Sequence, residues 1–117
     1  MYICDMYSKE LTKGTLQPII LKLISSRDKM YGYEITQEVK KLTSGKIDIS
    51  EGALYPILHK LEAQGVLVTE KIYVGKRVRK YYSVTKDGKQ KVIEATKEIN
   101  DFIITLQTIF NVKPTIS

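Results

Sequence analysis

The residues of this chain best placed to do chemistry are cations, and the chemistry they suit is electrostatic. Between Lys71 and Lys91 stand Lys71, Lys76, Arg77, Arg79, Lys80, Lys86, Lys89 and Lys91, opposed only by Asp87. That window carries +7, more than the +6 of the whole 117-residue chain, so the remainder is close to neutral. With a sequence pI near 9.3, the balance favours a polyanionic partner, nucleic acid ahead of a membrane surface.

Catalysis has little to work with. His59 is the single histidine, and no Ser, Cys or carboxylate cluster near it has triad or metal-ligand spacing. Neither a GxxxxGK[ST] phosphate loop nor a GxGxxG turn occurs. The lone Cys4 can form neither an internal disulfide nor a cysteine zinc site, and reads as inert. The expectation is a non-enzyme without cofactor or metal. At 43% hydrophobic and 27% charged the composition argues against wholesale disorder. No run of 18 apolar residues occurs, which excludes a membrane-spanning helix. Residues 1–10 lack a secretory layout, so a cytoplasmic, single-domain protein is expected.

These side chains must be positioned by local structure. Leu16, Ile19, Ile20, Leu23 and Ile24 share one helical face. That helix either starts behind Thr15 or begins near Ser8 and bends at Pro18. After the polar turn Ser25–Lys29, a second helix carries Ile35, Val39 and Leu42 and stops near Gly45. A third starts at Ser50, a good N-cap, and buries Leu54, Ile57, Leu58 and Leu61. Its outer face holds Gly52, Tyr55, Pro56, His59, Lys60 and Glu62. The segments Val66–Tyr73 and Arg79–Val84 are rich in β-branched and aromatic residues and read as a hairpin with a basic turn around Gly75. Thr85 caps a long last helix, in which Val92, Ala95, Ile99, Phe102, Leu106 and Ile109 follow a heptad pattern widened by Ile103 and Phe110.

Three helices followed by a hairpin with a basic tip make a winged helix-turn-helix, a mainly α fold with a two-stranded wing. A helix entering the major groove needs a polar face with compact residues near its N-terminus. A wing needs cations for phosphates. The third helix meets the first demand through Ser50, Gly52, Ala53, Tyr55, Pro56, His59 and Lys60. The wing meets the second through Lys76, Arg77, Arg79 and Lys80.

The sequence resembles the PadR family of transcriptional regulators. The matching pieces are Gly14-Thr15-Leu16, Gly32-Tyr33-Glu34-Ile35, Gly52-Ala53-Leu54-Tyr55-Pro56-Ile57-Leu58, Leu61-Glu62-Ala63-Gln64-Gly65 and Arg79-Lys80-Tyr81-Tyr82-Ser83-Val84-Thr85. They occur in the family's order, and the resemblance covers roughly residues 11 to 110. The single post-wing helix is similar to the short branch of that family. The resemblance implies a dimeric repressor of nearby genes, released when a small aromatic or cationic effector binds between subunits. Ile99 stands where some drug-binding relatives place a Trp, and this chain has none.

Bland readings compete with several of these assignments. The hydroxyl of Tyr55 and a bend at Pro56 fit the third helix to a groove, or Tyr55 packs on the wing and Pro56 is tolerated early in the helix. Tyr81 and Tyr82 are adjacent on a strand and must face opposite sides, with the inner one undetermined. Tyr31 and Tyr33 read as packing residues.

The resulting expectation divides the chain into a dimer-supporting segment 1–15, a winged helix-turn-helix 16–85, a dimerisation helix 86–110 and a tail 111–117. The dimer contacts are Val92, Ala95, Ile99, Phe102, Ile103, Leu106, Ile109 and Phe110. Twofold symmetry then calls for a pseudo-palindromic double-stranded operator. The rival reading is a winged-helix module that binds protein, or a ligand sensor with secondary DNA binding.

Overall fold

The computed structural model describes residues 6–111, so Cys4 and the tail residues 112–117 lie outside the described residues. The chain turns helical at Ser8, whose Oγ accepts from the Leu11 N–H at 3.2 Å and opens a short α1, Lys9–Thr12. A 3-10 turn, Lys13–Thr15, leads into α2, Leu16–Arg27. The Thr15 hydroxyl does not cap α2; it donates backwards to the Thr12 carbonyl at 2.7 Å. Pro18 is the third residue of α2, where its missing N–H costs little. Ile20, Leu21, Leu23 and Ile24 enter the core, while Leu16 and Ile19 are half-buried against it.

Asp28, with φ 72, reverses the chain after α2. A two-residue strand follows, β1, Met30–Tyr31, which the sequence pattern does not foretell. Helix α3, Gly32–Leu42, starts where the Tyr31 N–H donates to Glu34 Oε1 at 3.1 Å. It buries Ile35, Thr36 and Val39. Leu42, expected on the buried face, is 63% exposed. The helix ends at Leu42 and the chain swings away through Ser44 and Gly45, both at positive φ. Nothing of the described chain therefore closes over that side chain.

Helix α4, Glu51–Ala63, has Ser50 as its cap, with Oγ accepting from the Ala53 N–H at 3.2 Å. Leu54, Leu58 and Leu61 are buried and Ile57 half-buried. Gly65, at φ 76, ends it with the Val66 N–H returned to the Leu61 carbonyl at 2.9 Å. Strands β2, Leu67–Val74, and β3, Arg77–Val84, then pair antiparallel from Leu67↔Val84 to Val74↔Arg77. β1 adds to the other side of β3, giving the order β1-β3-β2.

The hairpin corrects the expected wing. Its turn is only Gly75-Lys76, with Gly75 at φ 64 in the first position, a loop whose twist suits paired strands. Arg77, Arg79 and Lys80 therefore lie on β3 and not at the tip. The β2–β3 ladder runs unbroken to the two-residue loop, and its hydrogen bonds outweigh the low strand preference of the charged side chains. The tyrosine pair is also settled: Tyr82 is 1% exposed beneath the sheet and Tyr81 is half-buried on its outer face.

Thr85 links the wing to α5, Gly88–Phe110. Its Oγ1 accepts from the Gly88 N–H at 2.9 Å and donates to the Gly65 carbonyl at 2.7 Å. Val92 joins the core. Beyond the half-buried Ile99 the helix leaves the domain, with Phe102 51% and Phe110 69% exposed. The whole is a mainly helical winged helix-turn-helix with a long C-terminal helix. Among the described residues no helix is long and apolar enough to cross a membrane.

Candidate nucleic-acid interface

Because Leu54, Leu58 and Leu61 anchor α4, Gly52 and the side chains at 55, 56, 59 and 60 must lie away from the core. Gly52, Pro56, His59 and Lys60 are exposed, Tyr55 lies at the edge of exposure and Ala53 is half-buried against the core. Glu51 stands in the first turn, and Ser50 is committed to the cap. Pro56 supplies no N–H to the carbonyl of Gly52 four residues before it.

Tyr55 is held against the start of α3. Its phenol lies over Gly32 at the start of α3. A methyl group on Gly32 would come within 2.9 Å of Tyr55 Cζ and closer still to the hydroxyl oxygen. The glycine is thus what lets α3 and α4 meet at their crossing. The His59 ring follows one turn on, 6.2 Å from the Tyr55 ring.

The wing cations divide among different surroundings. Lys76 occupies the tip and Arg77 the first pair of β3, both exposed. Strand alternation puts Arg77, Arg79 and Tyr81 on the outer face and Lys80 with Tyr82 on the inner one. Arg79 lies over the Tyr31 ring, with Cζ 4.5 Å from the ring centroid. Lys80 sits 3.6 Å from Glu62 at the end of α4 and 5.5 Å from the Tyr82 ring centroid. Glu62 also accepts from the Thr69 hydroxyl at 3.1 Å, so the wing base is tied to α4. The four expected phosphate contacts are therefore not one patch. Among the described residues nothing pairs with Lys76 or Arg77, Arg79 is stacked and Lys80 is partly neutralised.

Two further side chains join this surface. Tyr73 is exposed near the tip, opposite Val78, and the alternation along β2 is a signal that could have singled it out. Tyr31 meets Arg79 only through β1, whose partner strand lies some 50 residues on, and spacing along the chain carries no trace of that contact. Burial pushes the Tyr82 hydroxyl above its usual value, an effect partly offset by Lys80. Among the described residues no group of three or more His, Cys, Asp or Glu is placed to hold a metal.

Comparison with known proteins follows the same lines. An uncharacterised protein of Lysinibacillus sphaericus is 37% identical over 97 residues, 80% of this chain and 85% of that one. A crystal structure from Streptococcus mutans UA159 superposes over all of both chains with a TM-score of 0.72 and 32% identity. Bacillus subtilis PadR, solved in complex with operator DNA, gives a TM-score of 0.61 and 28% identity over 68% of this chain and 45% of that one. Residues 20–94, more than half of the sequence, match the transcriptional regulator PadR-like family. With its winged helix and its Leu-Tyr-Pro segment on α4, the chain belongs to the PadR-like family of transcriptional regulators.

Proposed function

We propose that the protein is a dimeric, cytoplasmic repressor that reads a pseudo-palindromic operator with α4 and grips the flanking phosphates with its wing. The carrying observation is that α4 turns Gly52, Pro56, His59 and Lys60 outward while the adjoining hairpin presents Lys76 and Arg77 without a partner carboxylate among the described residues. That Bacillus subtilis PadR, a structural relative, was solved with operator DNA supports a DNA-binding role. In this reading residues 16–85 are the DNA-binding unit, residues 1–15 support the dimer and residues 86–110 form it. Phe102, Ile103, Ile109 and Phe110 are all exposed on α5, an apolar surface that a second copy would cover. Val92 and Ala95 serve the domain more than the partner, the one buried and the other half-buried.

Release by a small effector completes the reading. Its support is an apolar groove of about 500 Å³ between α2, α3 and α5, lined by Pro18, Ile19, Leu23, Leu42, Ile47 and Ile99 among others. Among the described residues Lys22 is the one cation on its wall, which favours an aromatic over a cationic occupant.

The test is fluorescence anisotropy of a duplex from upstream of the protein's own gene against a scrambled duplex, at two salt concentrations. Tight binding that prefers the upstream sequence and weakens steeply with salt supports the reading. Affinity for a partner protein that ignores salt, with no duplex bound, would overturn it.

A further inference from the structure

The outer face of the sheet carries an arrangement that an electrostatic wing does not require. Four side chains interleave there: Lys29 Nζ lies 5.6 Å from the Tyr81 ring centroid, Tyr81 meets Tyr31 edge-on at 5.3 Å, and Arg79 Cζ lies 4.5 Å from the Tyr31 centroid. Lys29 is further held by Glu70 at 3.7 Å. Tyr31 and Tyr81 are directly opposite in the β1–β3 register, so the cluster exists only because β1 is paired. Tyr31 itself is fixed from below, since it precedes α3 and its N–H is bonded to Glu34.

A guanidinium laid on an aromatic face keeps its N–H donors, which point outward in its own plane. No side-chain hydrogen bond or ion pair occupies Arg79 among the described residues. The arginine is thus oriented without being neutralised, unlike Lys80, which faces Glu62. The stack also adjoins the recognition surface, because Gly32, the next residue after Tyr31, is the floor beneath Tyr55. A path of packed groups leads from the outer face of α4 through the start of α3 to the base of the wing.

We propose that Tyr31 is a positioning residue for DNA binding. Its ring holds the Arg79 guanidinium ready for one backbone phosphate, so that the wing base and the helix-turn-helix engage the duplex as one body. This inference rests on the DNA-binding reading above and assigns a role that the chain's basic charge alone does not.

The experiment is a double-mutant cycle, read as affinity and as the slope of log affinity against log salt, on the duplex that the wild type binds best. Arg79→Ala is expected to flatten the slope by about one. Tyr31→Leu is expected to weaken binding about two- to fivefold, the range of a surface cation–π contact, with part of the same loss of slope. The double variant should be no worse than Arg79→Ala alone, and Tyr31→Phe, which keeps the ring, should behave as wild type. Should Tyr31→Leu fail to fold, Arg79→Lys takes its place: it keeps the charge but cannot lie flat, and is expected to lose affinity. Equal affinity for Arg79→Lys and wild type would overturn the proposal. So would a Tyr31→Leu effect that multiplies with that of Arg79→Ala and leaves the slope unchanged. A wild type that binds no duplex at either salt would instead overturn the DNA reading itself.

Discussion

Gly88→Ala probes the joint on which the long helix is mounted. The added methyl would stand 3.1 Å from the Val66 carbonyl carbon, 3.0 Å from Thr85 Oγ1 and closer still to the Val66 oxygen. Ordinary carbon–oxygen contacts begin at about 3.3 Å, so the overlap with that oxygen is roughly 1 Å. Neither side can simply retreat. The Val66 carbonyl accepts from the Thr85 N–H at 3.0 Å, and Thr85 Oγ1 bridges the Gly65 carbonyl and the Gly88 N–H. Overpacking of this kind costs about 1–3 kcal/mol, and loss of the Thr85 cap adds about 1 kcal/mol. Against this stands a gain of about 0.5–1 kcal/mol, because Gly88 has no positive φ and alanine prefers a helix. The net is about 2 kcal/mol of destabilisation, or roughly 8 °C in Tm for a domain between the small and the middle size classes. Thermal unfolding followed by circular dichroism at fixed protein concentration measures it. Gly14→Ala is the control, since nothing lies within 4 Å of its added methyl, and its Tm should stay level or rise slightly. A Gly88→Ala melting point within 2 °C of wild type, about the scatter of such measurements, would refute the reasoning.

Other expectations concern separate parts of the fold. Gly32→Ala should drive the Tyr55 ring from its seat, weakening duplex binding more than it lowers Tm, as anisotropy and melting together would show. Phe102→Asp with Phe110→Asp alters side chains that are exposed in the single chain, so light scattering should report monomers while circular dichroism stays unchanged. A persistent dimer would move the interface elsewhere. The buried Tyr82 titrates above 10.0 in the fold because burial disfavours its ionised form. Its contribution is complete below pH 10.0 and falls as pH rises toward the raised value, because only the unfolded chain then ionises freely. Tyr82→Phe should therefore lose less stability than wild type between pH 9 and pH 11 in urea titrations, a range of about one unit either side of the ordinary tyrosine value.

Much of this molecule can be read along the chain because its causes are local. The apolar spacing of Leu54, Leu58 and Leu61, the Ser50 cap and the Gly65 stop place α4 within a residue of where it lies. The heptad run likewise announces α5, and the cations between Lys71 and Lys91 announce the partner class. These signals survive because helix periodicity, capping and net charge depend on neighbours within a turn or two.

Long-range pairing decided the rest. β1 is two residues long and exists because β3 offers it a register, with Met30 against Tyr82 and Tyr31 against Tyr81. That pairing set Tyr31 beside Tyr81 and beneath Arg79 on the outer face, while the approach of β3 to α4 set Lys80 against Glu62. Leu42 belongs to a helical apolar stripe, yet it is exposed because no described element covers it. Local spacing and composition were enough for the helices, the hairpin and the charge. Contacts between distant parts of the chain, Tyr31 with Arg79 and Glu62 with Lys80, settled which cation is stacked and which is neutralised.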